Sequence, residues 1–162
     1  EISECLVGSE MCIRDRRVNM QPKTILEYLT YLNNAFFVRR ICPMDMLGKK
    51  QFQIGEKYYF EDLGIRNAIR SFRVTDIGQV LENVVCHHLL VCGYTLCIGR
   101  DRDKEVDFVA ERNGEKLYVQ VAYSVMDSKI HEREFGNLLA IPDNYPKIVV
   151  TMDELEGGLS GY

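Results

Sequence analysis

Apolar residues recur along this chain with a helical period first and a strand period later, and the switches mark the elements. Ile25, Leu26, Leu29 and Leu32 fall on one helical stripe, and Pro22 suits a first turn, so Pro22–Asn33 is expected to be a helix. The branched and aromatic residues of Ala35–Ile41 read as a strand. Pro43–Lys50 carries Pro, Asp, Gly and two lysines and reads as a turn or wing, with Gln51–Ile54 and Lys57–Phe60 as return strands. Glu61–Phe72 opens with acids and ends with bases, which complements a helix dipole. Asp76–Val91 has the strongest helical pattern. Ile77, Val80, Leu81, Val84, Val85 and His88 to Val91 form one broad face expected to be buried, and Gly93 is a natural stop.

Beyond Gly93 the period shortens to two. Tyr94–Gly99, Glu105–Glu111 and Lys116–Tyr123 read as strands, with Arg100–Lys104 a charged turn and Asn113-Gly114 a hairpin signal. Val125–Leu139 is expected to be a helix and Lys147–Thr151 a buried strand, after which Gly157, Gly158 and Gly161 let the chain trail off. The predicted fold class is α/β (α+β): a winged-helix-like segment over residues 17–75, then a mixed-sheet domain over residues 76–162.

The first residues stand apart from this pattern. Leu6-Val7-Gly8-Ser9-Glu10-Met11-Cys12-Ile13-Arg14-Asp15 resembles the conceptual translation of a transposase-type sequencing adapter, so residues 1–16 are set aside as an artefact. The natural protein is then expected to begin upstream, making this chain a fragment, cut short at its C-terminal end as well.

Composition supports folding: 46% of the residues are hydrophobic and 27% charged, enough for one ordinary domain or two small modules sharing a core. No run of eighteen apolar residues is present, and residues 1–17 carry no signal-peptide pattern, so the expected setting is cytoplasmic with no membrane partner. Outside the first sixteen residues the cysteines are Cys42, Cys86, Cys92 and Cys97. Their spacing matches no paired zinc motif and their neighbours are apolar, so they read as reduced core thiols. His87 and His88 flank Cys86, but adjacent helical positions diverge and share a metal poorly.

Charge divides the chain. Residues 17–75 hold ten Lys/Arg against five Asp/Glu, and residues 76–162 hold eight against fifteen. Arg39, Arg40, Lys49 and Lys50 cluster around the expected wing and are candidate contacts to nucleic acid, double-stranded DNA in particular, or to an acidic protein face.

One constellation could carry chemistry. A long helix bearing Glu82, a strand bearing Asp107, and a hairpin into Tyr118-Val119-Gln120-Val121-Ala122 follow one another in the order of PD-(D/E)XK nucleases, whose sheet domain is restriction-endonuclease-like. Such enzymes hold a hard divalent cation between two carboxylates and a main-chain carbonyl, with a lysine two residues beyond the second acid to orient the water. Glu82 and Asp107 fit the acids and the Val121 carbonyl the third ligand. Gln120 stands where the second strand acid is needed, and Ala122 stands where the lysine is needed. Losing one acid–base participant typically removes ~10²–10⁴ in rate, so the positions Glu82, Asp107, Gln120 and Ala122 read as a degenerate site, with residual Mg²⁺ at Asp107 as the alternative. The chain has no phosphate-cradling Gly-x-x-x-x-Gly-Lys-Ser/Thr, no Gly-x-Ser-x-Gly and no His-Glu-x-x-His.

The segment Lys57-Tyr58-Tyr59-Phe60-Glu61-Asp62-Leu63-Gly64-Ile65-Arg66-Asn67 resembles the KYY-x-x-D-x-G-x-R-N signature found in a prokaryotic AAA-type ATP-binding family, in its C-terminal domain of unknown function. Ile77–Val85, Lys104–Ala110, Tyr118–Tyr123 and Glu132–Leu139 resemble later segments of the same family, so the likeness runs from about Thr24 to Asp153. It implies an upstream AAA ATPase that binds ATP and Mg²⁺, followed by a winged-helix-like segment and the nuclease-like domain. Some relatives carry an intact Glu-x-Lys where this chain has Gln120 and Ala122. The expected function is therefore a non-catalytic module that engages DNA or a protein partner, itself holding no cofactor. The alternatives are a residual metal-dependent nuclease and a toxin–antitoxin-like interaction domain.

Overall fold

A computed structural model describes residues 21–45, 55–101 and 104–154. The adapter-like segment, Lys49, Lys50, the expected strand Gln51–Ile54 and the C-terminal glycines lie outside the described residues.

The chain folds as mixed α+β. Helix α1 (Pro22–Asn34) leads to strands β1 (Val38–Ile41), β2 (Pro43–Asp45) and β3 (Lys57–Phe60). Helix α2 (Leu63–Arg70), a 3₁₀ turn at Val74–Asp76 and helix α3 (Ile77–Val91) follow. The strands β4 (Thr95–Asp101), β5 (Lys104–Arg112) and β6 (Glu115–Val121), helix α4 (Ser128–Leu139) and strand β7 (Lys147–Val150) complete the order. A five-stranded mixed sheet runs β2-β4-β5-β6-β7, parallel at β2–β4 and β6–β7 and antiparallel between. β1 and β3 form a separate antiparallel ribbon. Among the described residues no helix is long and apolar enough to cross a membrane.

Three cores hold the layers together. On one face of the large sheet, Val85, Cys86 and Leu89 of α3 pack on Ile98, Phe108, Ala110 and Val119, joined by Ile41 and Tyr59 of the ribbon. On the other face Leu138 and Ile141 cover Val106, Val109 and Tyr118. The ribbon's outer face, Val38, Tyr58 and Phe60, packs on Ile25 and Leu29 of α1. All four residues of β3 are therefore buried, because alternate residues of a strand point to opposite faces and here both faces are covered.

Several expectations shift. The first strand starts at Val38 rather than Ala35, since Phe36 takes a left-handed φ of 57° in the turn that ends α1. Pro43–Asp45, expected within a wing, is an edge strand of the large sheet. Its proline suits an edge, where the missing N–H costs no ladder bond. α3 buries Asn83, Val85, Cys86 and Leu89, while Val84 and Val91 face outward, so the buried stripe is narrower than the apolar pattern suggests. α4 begins at Ser128, three residues late, because Asp127 caps it by accepting from the N–H groups of Lys129 and Ile130. β7 is half-buried rather than buried, with Ile148 exposed, as an outer strand of the sheet allows. The Asn113-Gly114 hairpin forms as expected, both residues at positive φ (55° and 84°), which only such residues accept cheaply.

Candidate functional site: a lysine among three carboxylates

β3 supplies the centre of the site. Lys57 and Tyr59, two residues apart, share the strand face turned toward α3. The Lys57 Nζ lies 2.9 Å from Glu82 Oε1, 3.0 Å from Asp107 Oδ1 and 3.0 Å from Glu105 Oε1. The ammonium donates hydrogen bonds to Glu82 and Asp107, and Glu105 adds an ion pair. The Tyr59 hydroxyl donates to the same Glu82 oxygen at 2.6 Å. The side chains of Lys57, Glu82 and Asp107 are 10%, 15% and 11% exposed, so the charges are largely out of water and their mutual pairing is what makes burial tolerable.

A bulge aims the acids. β4 and β5 pair Cys97 with Val109 and Gly99 with Val106, so Asp107 and Phe108 together oppose Ile98 alone. Strict alternation from Phe108 and Ala110 would place Asp107 on the face covered by α4. The extra residue returns Asp107 and Glu105 to the α3 face, where Lys57 and Glu82 meet them. The second Asp107 oxygen accepts from the Val121 N–H at 2.9 Å.

α3 is fastened to β3 beside this cluster. Asn83 accepts from the Phe60 N–H and donates to the Phe60 carbonyl, both at 2.9 Å, so one amide satisfies the strand's edge as a neighbouring strand would. His87 Nε2 also lies 2.7 Å from the Phe60 carbonyl oxygen.

The charges perturb one another. Burial and, next, the Glu82 charge push the Asp107 carboxyl up to about 6, against the pull of Lys57 and the Val121 N–H. Burial alone would lower the Lys57 ammonium, but Glu82, Asp107 and Glu105 outweigh it and raise it above its ordinary value. Burial, then Glu82, holds the Tyr59 hydroxyl well above its ordinary value, so it stays a donor.

Of the residues expected to form a nuclease-like site, Glu82 and Asp107 meet. Gln120 stays beside Asp107 but spends its amide oxygen on the Asp107 backbone N–H at 3.3 Å. Ala122 is buried past the end of β6, its N–H donating to the Val150 carbonyl. These residues do not fit a divalent cation: the Lys57 ammonium stands between the carboxylates that would bind it. Among the described residues no group of three His, Cys, Asp or Glu is arranged to hold a metal ion. Lys57, Tyr59 and Glu105 were not among the expected site residues; the available signal was a lysine inside an otherwise apolar, aromatic strand.

Of the basic candidates, the two described, Arg39 and Arg40, are engaged with acids. Arg39 Nη2 lies 2.8 Å from Glu61 Oε1, a charge contact whose angle makes no hydrogen bond, and Arg40 Nη1 lies 3.6 Å from Glu56 Oε1. A second buried charge sits under α2. Arg66, 1% exposed, reaches Asp76 at 3.3 Å, and Arg70 approaches the same oxygen at 3.7 Å. With its arginine inward, α2 turns Ile65 and Ile69 outward, and Phe72 and Val74 beyond it are exposed too. The thiols of Cys42, Cys86, Cys92 and Cys97 are all free, Cys86 fully in the core and the others half-buried.

The chain is 37% identical over 139 residues to an uncharacterized protein of Haemophilus influenzae, a match covering 86% of this chain and 34% of that protein. The chain thus spans about a third of its relative's length. No family profile matches the chain, and no solved structure matches it.

Proposed function

We propose that this chain is a non-catalytic, restriction-endonuclease-like module of a longer, cytoplasmic AAA-type ATP-binding protein, and that it docks a protein partner. The observation that carries the reading is the Lys57 ammonium, ion-paired with Glu82, Glu105 and Asp107 where a hydrolase of this layout needs its cation. An ordinary metal-dependent site leaves carboxylate lone pairs free for the ion and keeps a position for water. Here one oxygen of each of the three acids is committed to an internal cation, and Ala122 supplies no lysine. Two further features support a protein partner over DNA. Arg39 and Arg40 are offset by Glu61 and Glu56, and the exposed Ile65, Ile69, Phe72 and Val74 offer apolar contact area. The winged-helix likeness of the first half belongs to this proposal, as does the ATP-hydrolysing portion outside this chain.

Calorimetric titration with Mn²⁺ tests the reading: no saturable heat is expected. Stoichiometric binding lost in Asp107→Ala would restore the nuclease alternative. Duplex DNA anisotropy, run alongside at low salt, is expected to show no saturation; binding that weakens steeply with salt would move the partner to DNA.

A further inference from the structure

Cys42 and Cys97 take no part in the Lys57 cluster, yet the sheet brings them side by side. β2 and β4 are parallel with Pro43 opposite Ile98 and Met44 opposite Gly99, which makes Cys42 and Cys97 the next cross-strand pair. The Ile98 N–H donates to the Cys42 carbonyl at 3.0 Å, the bond that a parallel ladder makes at that step. Met44, two residues beyond Cys42 and so on its face, has its Sδ 4.0 Å from Cys97 Sγ, which places both thiols on one side of the sheet. Neighbouring strands lie about 4.8 Å apart, within the roughly 4.4–6.8 Å between Cα atoms that a disulfide spans. Both thiols are free and half-buried, and β2 is a three-residue outer strand able to adjust toward β4.

We propose that Cys42 and Cys97 form a modification site, converted to an intramolecular disulfide by a small-molecule disulfide such as oxidised glutathione. Cys42, just before the outer strand β2, gives its proton to solvent and attacks one glutathione sulfur. The glutathione disulfide bond breaks, and one glutathione leaves as thiolate and takes up a proton. Cys97 then gives its proton to solvent, and its thiolate attacks the Cys42 sulfur of the mixed disulfide, expelling the second glutathione as a thiolate that takes up a proton. Two protein thiols are oxidised and one glutathione disulfide is reduced to two thiols, so protons and electrons balance. Burial, then Glu56, raises the Cys42 thiol, and burial pushes Cys97 up to about 11, so the reaction is slow near neutrality and accelerates as pH rises. The bond would tie the segment between the β1–β3 ribbon and the large sheet to β4.

The test treats the full chain with oxidised glutathione at mildly alkaline pH, then reads intact mass and the peptides of a non-reducing digest. The expected product is lighter by two hydrogens, joins the Cys42 peptide to the Cys97 peptide, and melts at a higher temperature than the reduced protein. It should be absent from Cys97→Ser and still form in Cys86→Ser. The digest of the unsubstituted protein decides the matter even if a variant misfolds. Glutathione adducts without closure, or a link that pairs other cysteines such as Cys92 or the N-terminal Cys5 and Cys12, would overturn the proposal.

Discussion

Lys57 Nζ and Asp107 Oδ1 are 3.0 Å apart although fifty residues separate them, and the contact joins the β1–β3 ribbon to the central strand of the large sheet. Among the described residues the ribbon shares no strand pairing with that sheet. Its attachment runs instead through the Ile41 and Tyr59 core contacts, the Asn83 clamp and this buried charge cluster. The cluster that resembles a catalytic site is thus also a joint of the fold.

Removing the ammonium should be costly. Lys57→Met leaves Glu82 and Asp107 facing each other without their buried counter-charge, while Glu105 keeps Arg100 at 3.2 Å, and breaking a buried ion pair on one side costs about 3–5 kcal/mol. Urea unfolding should show a loss of that order, partly recovered when Asp107→Asn is added. A change below about 1 kcal/mol, the value of an exposed pair, would mean that the cluster is solvated and the joint is elsewhere.

The Asn83 clamp gives a separate expectation. Asn83→Ala leaves the buried Phe60 N–H without its acceptor, while the Phe60 carbonyl keeps His87. An orphaned buried donor costs about 1–3 kcal/mol, and the midpoint of denaturant unfolding should fall accordingly. Hydrogen exchange at the Phe60 amide should also accelerate. If both observables matched the unsubstituted protein, α3 would not be holding β3 by this amide.

Asp107 sets a pH dependence of definite sign. Its carboxyl is raised to about 6 in the folded protein, above its value in an unfolded chain, so folding favours its protonated form. Its contribution to stability is fully present below the unfolded value and is lost as pH rises through about 6. The unfolding free energy of the wild type minus that of Asp107→Asn should therefore fall between about pH 4 and 6 and level off above. Taking this difference removes the opposite trend from Asp143, whose carboxyl is lowered by its Tyr118 and Lys147 hydrogen bonds despite some burial. A difference that rises over this interval would show an Asp107 lowered rather than raised.

Much of the fold was legible because local signals agreed. Lys57–Phe60 and Lys147–Thr151 carried enough branched and aromatic residues to mark β3 and β7, and Asn113-Gly114 fixed the β5–β6 hairpin. The inward turn of Arg66 was hidden, since an amphipathic reading of α2 assigns Ile65 and Ile69 to the core. The site was half legible. Glu82 and Asp107 could be matched to a known order of elements, but Lys57 comes from an earlier strand that only tertiary packing brings there. Nor could alternation reveal the bulge at Asp107 and Phe108, because apolar residues occupy both faces of β5 in a sheet covered on both sides.

Whether the Lys57 cluster can cut DNA is read by cleavage of supercoiled plasmid by the purified chain with Mn²⁺ and with Mg²⁺, compared with Asp107→Ala. No nicking above the level of that variant is expected in either metal, since the carboxylates already hold Lys57. Nicking that depends on metal and disappears in Asp107→Ala would contradict it, and would make Lys57 a working lysine supplied from β3 instead of the Ala122 position.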